Sequence, residues 1–396
     1  MITNLKNVMI MASRYDSFGN DLIQGVIEYS KFRGNWALTT ELPPYLASYH
    51  DEGLNYSLEN SGFDGVIAYI PNRHEADKIH FGSLPAVIAH DTQESLNHEI
   101  PYITCDNMEI GRLASSFFDE RGYKNRGFFG FKNFQWSVQR QKGFTEANRR
   151  EKIKTDSLLI ESSEFKPENE LEKKVLPWLR KLPKPVCILC GNDDLGLYLI
   201  KVCKKYEMKI PDNIAILGVD NNEIDCNLTT PSLSSIAYNS KRAGFQAAET
   251  LDLLMAGKPA PNKKIVISPI KVVDRMSTNA YAVTDTDVIR ALSFIKNNSM
   301  SPLQVTEVAD AVNLSRRTLS RKFKEHIGRT VADEIKRAQI DAISHMLINS
   351  HMSVSEIAFR IGLNDSSHIS RYFKMNTGLT PLEYRKQFSG KNIHLS

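Results

Sequence analysis

Residues 304–378 contain one pattern written twice. Glu307-Val-Ala-Asp-Ala-Val-Asn-Leu314, followed by Leu319-Ser320-Arg321-Lys322-Phe323-Lys324 and Gly328-Arg329-Thr330, returns as Glu356-Ile-Ala-Phe-Arg-Ile-Gly-Leu363, Ile369-Ser370-Arg371-Tyr372-Phe373-Lys374 and Gly378-Leu379-Thr380. The offset is 49 residues as far as Leu314 and Leu363 and 50 from Leu319 and Ile369, so one residue is inserted between the helices. Each copy reads as a short helix, a tight turn and a second helix with basic residues on one side. That is the pattern of a helix-turn-helix, whose second helix enters the DNA major groove. Two such units, about residues 304–328 and 353–378, imply a module that reads a DNA sequence.

The second helices carry the candidate readers. In the first copy Leu319 and Phe323 mark the buried face, while Arg317, Ser320 and Arg321 share another face at helical spacing near the helix start. The second copy places Ser367, Ser370 and Arg371 in the same relation, with Ser366 beside them. Arginine reads guanine bidentately and serine serves several bases. Lys324, Lys374 and Arg385 are expected at phosphates. Val331–Asn349 reads as a long helix separating the two units.

The chain has 396 residues, enough for two or three domains. From Asp285 onward 16 Lys and Arg face 11 Asp and Glu, a net of +5; residues 1–284 carry 34 against 35. The positive excess therefore lies with the repeat, where phosphate binding needs it. Met1–Ile10 has one lysine and no long apolar run, so neither a signal peptide nor a membrane partner is expected. The cysteines (Cys105, Cys187, Cys190, Cys203 and Cys226) are odd in number and lack framework spacing, which suits a reducing cytoplasm. Cys187 and Cys190 have CxxC spacing, but they sit in an apolar run with no further ligands nearby. An inert core pair is expected, and no metal or cofactor.

Through the first 275 residues short apolar runs alternate with helical patterns. Strands are expected at Val8–Ala12, Gly65–Ile70, Ala86–Ala89, Arg126–Phe131, Val186–Cys190 and Ile214–Val219, with helices such as Asp21–Phe32, Glu109–Arg121 and Leu195–Tyr206 between them. This alternation favours parallel sheets covered by helices, which bind ligands at the carboxyl ends of their strands. The residues following the strands are Arg14-Tyr15-Asp16, His90-Asp91, Gln135-Trp136 with Arg140, Asn192-Asp193-Asp194 and Asp220-Asn221. Carboxylates, amides and a guanidinium suit vicinal hydroxyls, and an indole suits the apolar face of a sugar ring. Asp194 alone fits a helix cap equally well. Together these residues point to a small, neutral, polyhydroxylated ligand.

Cys190-Gly-Asn-Asp-Asp194, Lys209-Ile-Pro-Asp-Asn-Ile-Ala-Ile-Leu-Gly-Val-Asp220, Thr230-Pro-Ser-Leu-Ser-Ser-Ile236 and Val272-Val-Asp-Arg275-Met-Ser277-Thr278 resemble the core of the LacI/GalR-type sugar sensors. The resemblance implies a two-lobed fold like that of periplasmic sugar-binding proteins. It also implies that Asn192 and Asp220 hold sugar hydroxyls, joined by Arg140. The DNA-binding helices that usually precede such a sensor are not found here.

The C-terminal part is similar to the AraC/XylS family of regulators, on Ile357-Ala358-x-x-x-Gly362-Leu363, Ser367-His368-Ile369-Ser370-Arg371-x-Phe373-Lys374 and Gly378-x-Thr380-Pro381-x-x-Tyr384-Arg385. Leu363 and Ile369 stand where phenylalanine is usual, and Asn313 stands where the second copy has Gly362. In that family the base-contacting positions match Arg317, Ser320 and Arg321, then Ser366, Ser367, Ser370 and Arg371. A LacI-like sensor joined to an AraC-like module is narrower than either half; Asp285-x-Asp287-Val-Ile-Arg-Ala-Leu-x-Phe-Ile295 is a further match. The combination implies an activator responsive to D-xylose or a related pentose.

The expected architecture is an α/β two-lobed sensor over residues 1–275, a connection at 276–286, an all-α domain with two helix-turn-helix units at 287–388, and a tail at 389–396. Ligand contacts are expected from Asp16, Asp91, Trp136, Arg140, Asn192 and Asp220. Operator DNA, a monosaccharide, RNA polymerase and a second copy of the chain are the expected partners. An enzyme is disfavoured, because no G-x-S-x-G, Walker loop, HExxH or dinucleotide fingerprint follows a strand. A transport protein is disfavoured by the DNA module. A sensor for another metabolite, or one serving only as a dimerisation scaffold, remains the alternative.

Overall fold

The computed structural model describes residues 5–12, 17–33, 35–40, 56–58, 61–70, 79–89, 100–165, 170–279, 285–350, 352–362 and 366–388. The chain divides into two compact units, one formed by Met1–Asp119 with Tyr123–Ala280, the other by Glu120–Gly122 with Tyr281–Ser396.

The first unit holds two six-stranded sheets. One contains β1 (Lys6–Met11), β2 (Trp36–Thr40), β4 (Gly65–Tyr69), β6 (Ala86–Ala89), β7 (Tyr102–Cys105) and β13 (Lys264–Ile267), in the order β13-β7-β6-β4-β1-β2, all parallel. The other contains β8 (Asn125–Phe131), β9 (Thr155–Ile160), β10 (Val186–Cys190), β11 (Ile214–Val219), β12 (Ser234–Tyr238) and β14 (Pro269–Val273), in the order β14-β12-β11-β10-β8-β9. Only its edge strand β14 is antiparallel to its neighbour. A short pair, β3 (Tyr56–Ser57) and β5 (Ile79–His80), stands apart.

Central strands such as Val186-Cys-Ile-Leu-Cys190 are buried along their whole length, because helices cover both faces of a parallel sheet. Such runs are legible in sequence. The strands at β2, β7, β9, β12, β13 and β14 were not expected: β9 is a half-exposed edge and β12 opens on two serines. Cys187 and Cys190, three apart on a strand, point to opposite faces, and burial pushes both thiols well above their ordinary range.

Helices α1 (Ser17–Arg33) and α7 (Ser240–Met255) pack together on the first sheet, and α2 (Asn107–Asp119) and α3 (Gln135–Arg150) on the second. The remaining helices of the second lobe are α4 (Glu170–Lys181), α5 (Asp193–Lys205) and α6 (Glu223–Leu228). The α2–α3 contact is close because Gly111 and Gly143 lack side chains. A Cβ on Gly111 would lie 2.3 Å from the Arg140 carbonyl oxygen, and one on Gly143 2.1 Å from that of Met108.

The chain crosses between lobes three times, from β7 into α2, from β12 into α7 and from β13 into β14. The Asp106 amide donates to the Ile267 carbonyl at 2.9 Å, tying two crossings together.

The expected connection at 276–286 begins too early. Met276–Thr278 is a short helical turn of the first unit itself, with Ser277 and Thr278 fully buried. The Ser277 hydroxyl donates to the Ile216 carbonyl at 2.6 Å and accepts from the Ser234 amide at 2.8 Å. These polar side chains satisfy strand ends, and a string of small polar residues looks the same in sequence when it does so. At the other limit Asp285 already caps a helix.

The second unit comprises α8 (Thr286–Asn297), α9 (Val305–Ala311), α10 (Arg316–His326), α11 (Val331–Asn349), α12 (Val354–Arg360), α13 (Ser366–Thr377) and α14 (Pro381–Phe388). It has two small cores. Val288, Leu292, Val308, Leu319 and Phe323 close the first, and Ile357, Ile369, Phe373 and Tyr384 the second. Helix α11 enters both, through Val331 and Ile335 at one end and Ile343 and Leu347 at the other.

The repeat persists down to its hydrogen bonds. Gln304 with Glu307 and Ser353 with Glu356 form capping boxes at the starts of α9 and α12. Thr330 with Asp333 and Thr380 with Glu383 do the same for α11 and α14. The turn inside each unit needs a left-handed residue. Gly362 supplies it with φ +77° and Asn313 with φ +57°, asparagine being one of the few side chains that tolerates that region. Among the described residues no helix is long and apolar enough to cross a membrane.

Candidate ligand cleft and DNA-reading helices

Between the lobes of the first unit lies a cavity of about 90 Å³. Ser17, Phe18 and Tyr69 border it from the first lobe; Trp136, Arg140, Asn192, Asp193, Asp194 and Asp220 border it from the second, with Thr104, Cys105 and Tyr238 at the crossings. The second-lobe residues gather here because β8, β10 and β11 are adjacent and parallel, so their carboxyl ends open on the same edge.

Arg140 is the hub. It is 4% exposed; its Nε donates to Asn107 Oδ1 at 2.9 Å, and one Nη donates to the Gly191 carbonyl at 2.6 Å and to Asp220 Oδ1 at 3.4 Å. Its guanidinium lies 4.8 Å from the Trp136 ring and 5.7 Å from that of Tyr238. The Tyr238 hydroxyl donates to the same Asp220 oxygen at 2.8 Å. Phe18 adds its ring, centred 5.3 Å from Tyr69 and 6.1 Å from Tyr238. The cavity thus presents a fixed ion pair between aromatic faces.

Asp220 is aimed by its backbone. It has φ +110° and Asn221 has φ +54°, a pair of left-handed residues that turns the chain sharply off β11. The Asp220 amide donates to the Ile236 carbonyl at 3.0 Å, and Arg275 clamps the turn by donating to Asn221 Oδ1 and to the Leu233 carbonyl, each at 2.8 Å.

Asn192 and Asp193 begin α5. The Asn192 side chain accepts from the Leu195 amide at 3.2 Å and donates to Asp194 Oδ2 at 2.9 Å, so it is Asn192, not Asp194, that caps this helix. Asp193 is 3% exposed and accepts from Ser235 Oγ at 2.5 Å, the Asn222 amide at 2.9 Å and Cys226 Sγ at 3.3 Å. Burial, reinforced by the charge of Asp220, pushes its carboxyl up to about 8.

Of the expected ligand residues, Trp136, Arg140, Asn192 and Asp220 meet at this cavity, while Asp16 and Asp91 lie outside the described residues. Phe18, Tyr69, Asn107, Asp193 and Tyr238 were not singled out as contacts. Tyr238 ends a strand that itself went unread. Asp193 stood between two candidates but gave no sign of being the buried one.

In the second unit Arg317, Ser320, Arg321 and Lys324 are all exposed on α10, with Arg321 3.4 Å from Glu325 one turn on. On α13 Arg371 and Lys374 are exposed and Ser370 is half-buried; Ser366 and Ser367 begin the helix, and their side chains are outside the described residues. Arg385 is not at a phosphate position. It is 8% exposed, and its guanidinium donates to the Leu347 carbonyl at 3.0 Å and to that of Met352. A cation at the open carbonyl end of α11 is favoured by the helix dipole, and that role holds this arginine inside.

Residues 116–278 match the Periplasmic binding protein-like domain, and residues 308–387 match a Helix-turn-helix domain. The chain is 28% identical over 291 residues to the xylose operon regulatory protein of Escherichia coli, covering 72% of this chain and 74% of that protein. It is 28% identical over 344 residues to that of Haemophilus influenzae, covering 85% and 87%. A solved xylose-binding transcription activator superposes with a TM-score of 0.61 at 25% identity, over 98% of this chain and 100% of that one. These relatives are transcription regulators and not enzymes. The chain is a transcription regulator with a periplasmic-binding-protein-like domain followed by an AraC-type helix-turn-helix domain, homologous to the xylose operon regulators.

Proposed function

We propose that this chain is a sugar-responsive activator, with D-xylose or a related pentose bound in the cleft and operator DNA read by α10 and α13. The observation that carries the reading is the convergence of the Arg140–Asp220 pair and the Trp136 face on one small cavity. A carboxylate and a guanidinium together accept from and donate to adjacent hydroxyls. The indole and the rings of Phe18 and Tyr238 suit the C–H faces of a sugar. A cavity of about 90 Å³ suits one ring, not a chain of them. The relatives' names supply the choice of xylose.

Arg317, Ser320 and Arg321 read one half-site and Ser366, Ser367, Ser370 and Arg371 the other, with Lys324 and Lys374 on phosphates. Sugar bound between the lobes favours the closed arrangement, and the response equals its differential affinity for the two states, ~1–3 kcal/mol. The chain acts as a homodimer through the first unit and engages RNA polymerase from the second.

Thermal unfolding of the full chain against a panel of monosaccharides tests this. A ligand at a hundred times its dissociation constant stabilises the unit it binds by ~2.7 kcal/mol. A shift with D-xylose and not with its epimers is expected. The absence of a shift with every sugar refutes the reading and leaves another metabolite or a scaffold.

A further inference from the structure

The Asp285-x-Asp287 pair plays no part in reading sugar or bases. Asp285 Oδ1 caps α8, accepting from the amides of Asp287 and Val288 at 3.0 and 3.1 Å. Its other oxygen accepts from Lys322 Nζ at 2.6 Å, and Asp287 accepts from the same ammonium at 2.9 Å. His326 Nε2 lies 3.6 Å from Asp285. The side chains of Lys322, Asp285 and Asp287 are only 20, 17 and 28% exposed, so this is a covered cluster and not a surface pair.

Lys322 belongs to the first reading helix but not to its reading face. At ~100° per residue it lies roughly 100–160° around the axis from Arg317, Ser320 and Arg321. It therefore holds α10 from behind.

The repeat adds a comparison. Fifty residues on, Tyr372 occupies the matching place on α13, and its hydroxyl donates to Gln339 Oε1 at 3.2 Å and to the Lys336 carbonyl at 3.4 Å. Both partners lie on α11. Each reading helix is thus anchored from behind at the same position, but to a different helix. The second is tied to the spacer between the units. The first is tied to α8, the helix by which the chain coming from the sensor enters this unit.

We propose that Lys322 is a positioning residue: gripping Asp285 and Asp287, it makes the angle of α10 follow α8, so that the sensor's state is delivered to the first helix-turn-helix. This rests on the sugar-responsive reading given above.

The test is footprinting of the full chain on its operator with and without D-xylose, alongside direct measurement of D-xylose affinity. Arg321→Ala and Arg371→Ala identify which half-site each helix protects. Lys322→Met is expected to weaken protection of the first half-site about tenfold, the size of one charge-assisted bond, and to abolish its sugar dependence. The second half-site and the sugar affinity stay as in the wild type. Lys322→Arg restores most of the response, and Asp287→Asn, which leaves the Asp285 cap intact, gives an intermediate loss. Sugar-dependent protection of the first half-site persisting in Lys322→Met overturns the proposal, as does an equal loss at both half-sites. If the wild type responds to no sugar, the functional reading fails; the selective weakening at one half-site then still decides the anchor.

Discussion

The Tyr238 hydroxyl donates to Asp220 Oδ1 at 2.8 Å, which bonds the end of a crossing strand to a carboxylate of the cleft. Arg140 repeats the arrangement from the other side, reaching Asp220 and also Asn107, the first residue of α2 after another crossing. Whatever displaces Asp220 therefore pulls on two of the three connections between the lobes.

Asp220→Asn keeps a side chain that tolerates φ +110° and removes the charge facing Arg140. Sugar affinity should fall by ~1–3 kcal/mol while sugar-free operator affinity stays unchanged. Calorimetric titration of sugar alongside an operator shift assay checks it; unchanged sugar affinity removes Asp220 from the site.

Asp193 gives the sensor a pH signature. Its carboxyl ordinarily titrates near 3.8 and is raised to about 8 when folded, mainly by burial and then by Asp220. The folded state thus holds a proton that the unfolded chain releases, so the contribution to stability is full below about 4, declines as pH rises and is gone above about 8. Asp193→Asn should flatten that part of the profile. Denaturant melts of both proteins between these limits decide it: parallel profiles would mean Asp193 titrates normally.

Base reading and phosphate binding separate by their salt dependence. Arg371→Ala should cost ~1–3 kcal/mol on the specific operator and much less on random DNA. Lys374→Ala should weaken both alike and reduce the salt slope by about 1. An equal loss for Arg371→Ala on the two DNAs would move that residue to the backbone.

The two unit turns should respond differently to alanine. Asn313→Ala forces a side chain without local hydrogen bonding into the left-handed region, at ~1–2 kcal/mol. Gly362→Ala adds to that strain a Cβ 2.2 Å from the Pro302 ring, so it should be the worse of the two in thermal melts, and Asn313→Gly should be near neutral.

The sequence is most readable where local chemistry is sufficient. Repeated capping boxes, apolar spacing and left-handed turn positions all act within a few residues, so both helix-turn-helix units and the limits of α11 are visible in the chain. Arg140, Asn192 and Asp220 are visible because each follows a strong apolar strand. Tyr238 is hidden because its strand opens with Ser234 and Ser235, buried serines whose partners lie on distant segments. Arg385 is misread for a related reason: a basic residue in a DNA-binding domain looks the same whether it faces phosphate or closes the end of a neighbouring helix. Which side of a helix meets another element is settled only by packing.

Helix α11 is a structural member of both small cores, so it cannot bend without opening one of them. Its 19 residues span about 28 Å at 1.5 Å per residue, a little under one turn of B-DNA. It therefore fixes the distance between the two helix-turn-helix units. Half-sites moved apart by five base pairs would present their second edge on the far side of the DNA, beyond any adjustment this domain can make. On the proposed reading, operators for this chain would be free to drift in the bases between the two contacts, but not in the number of those bases.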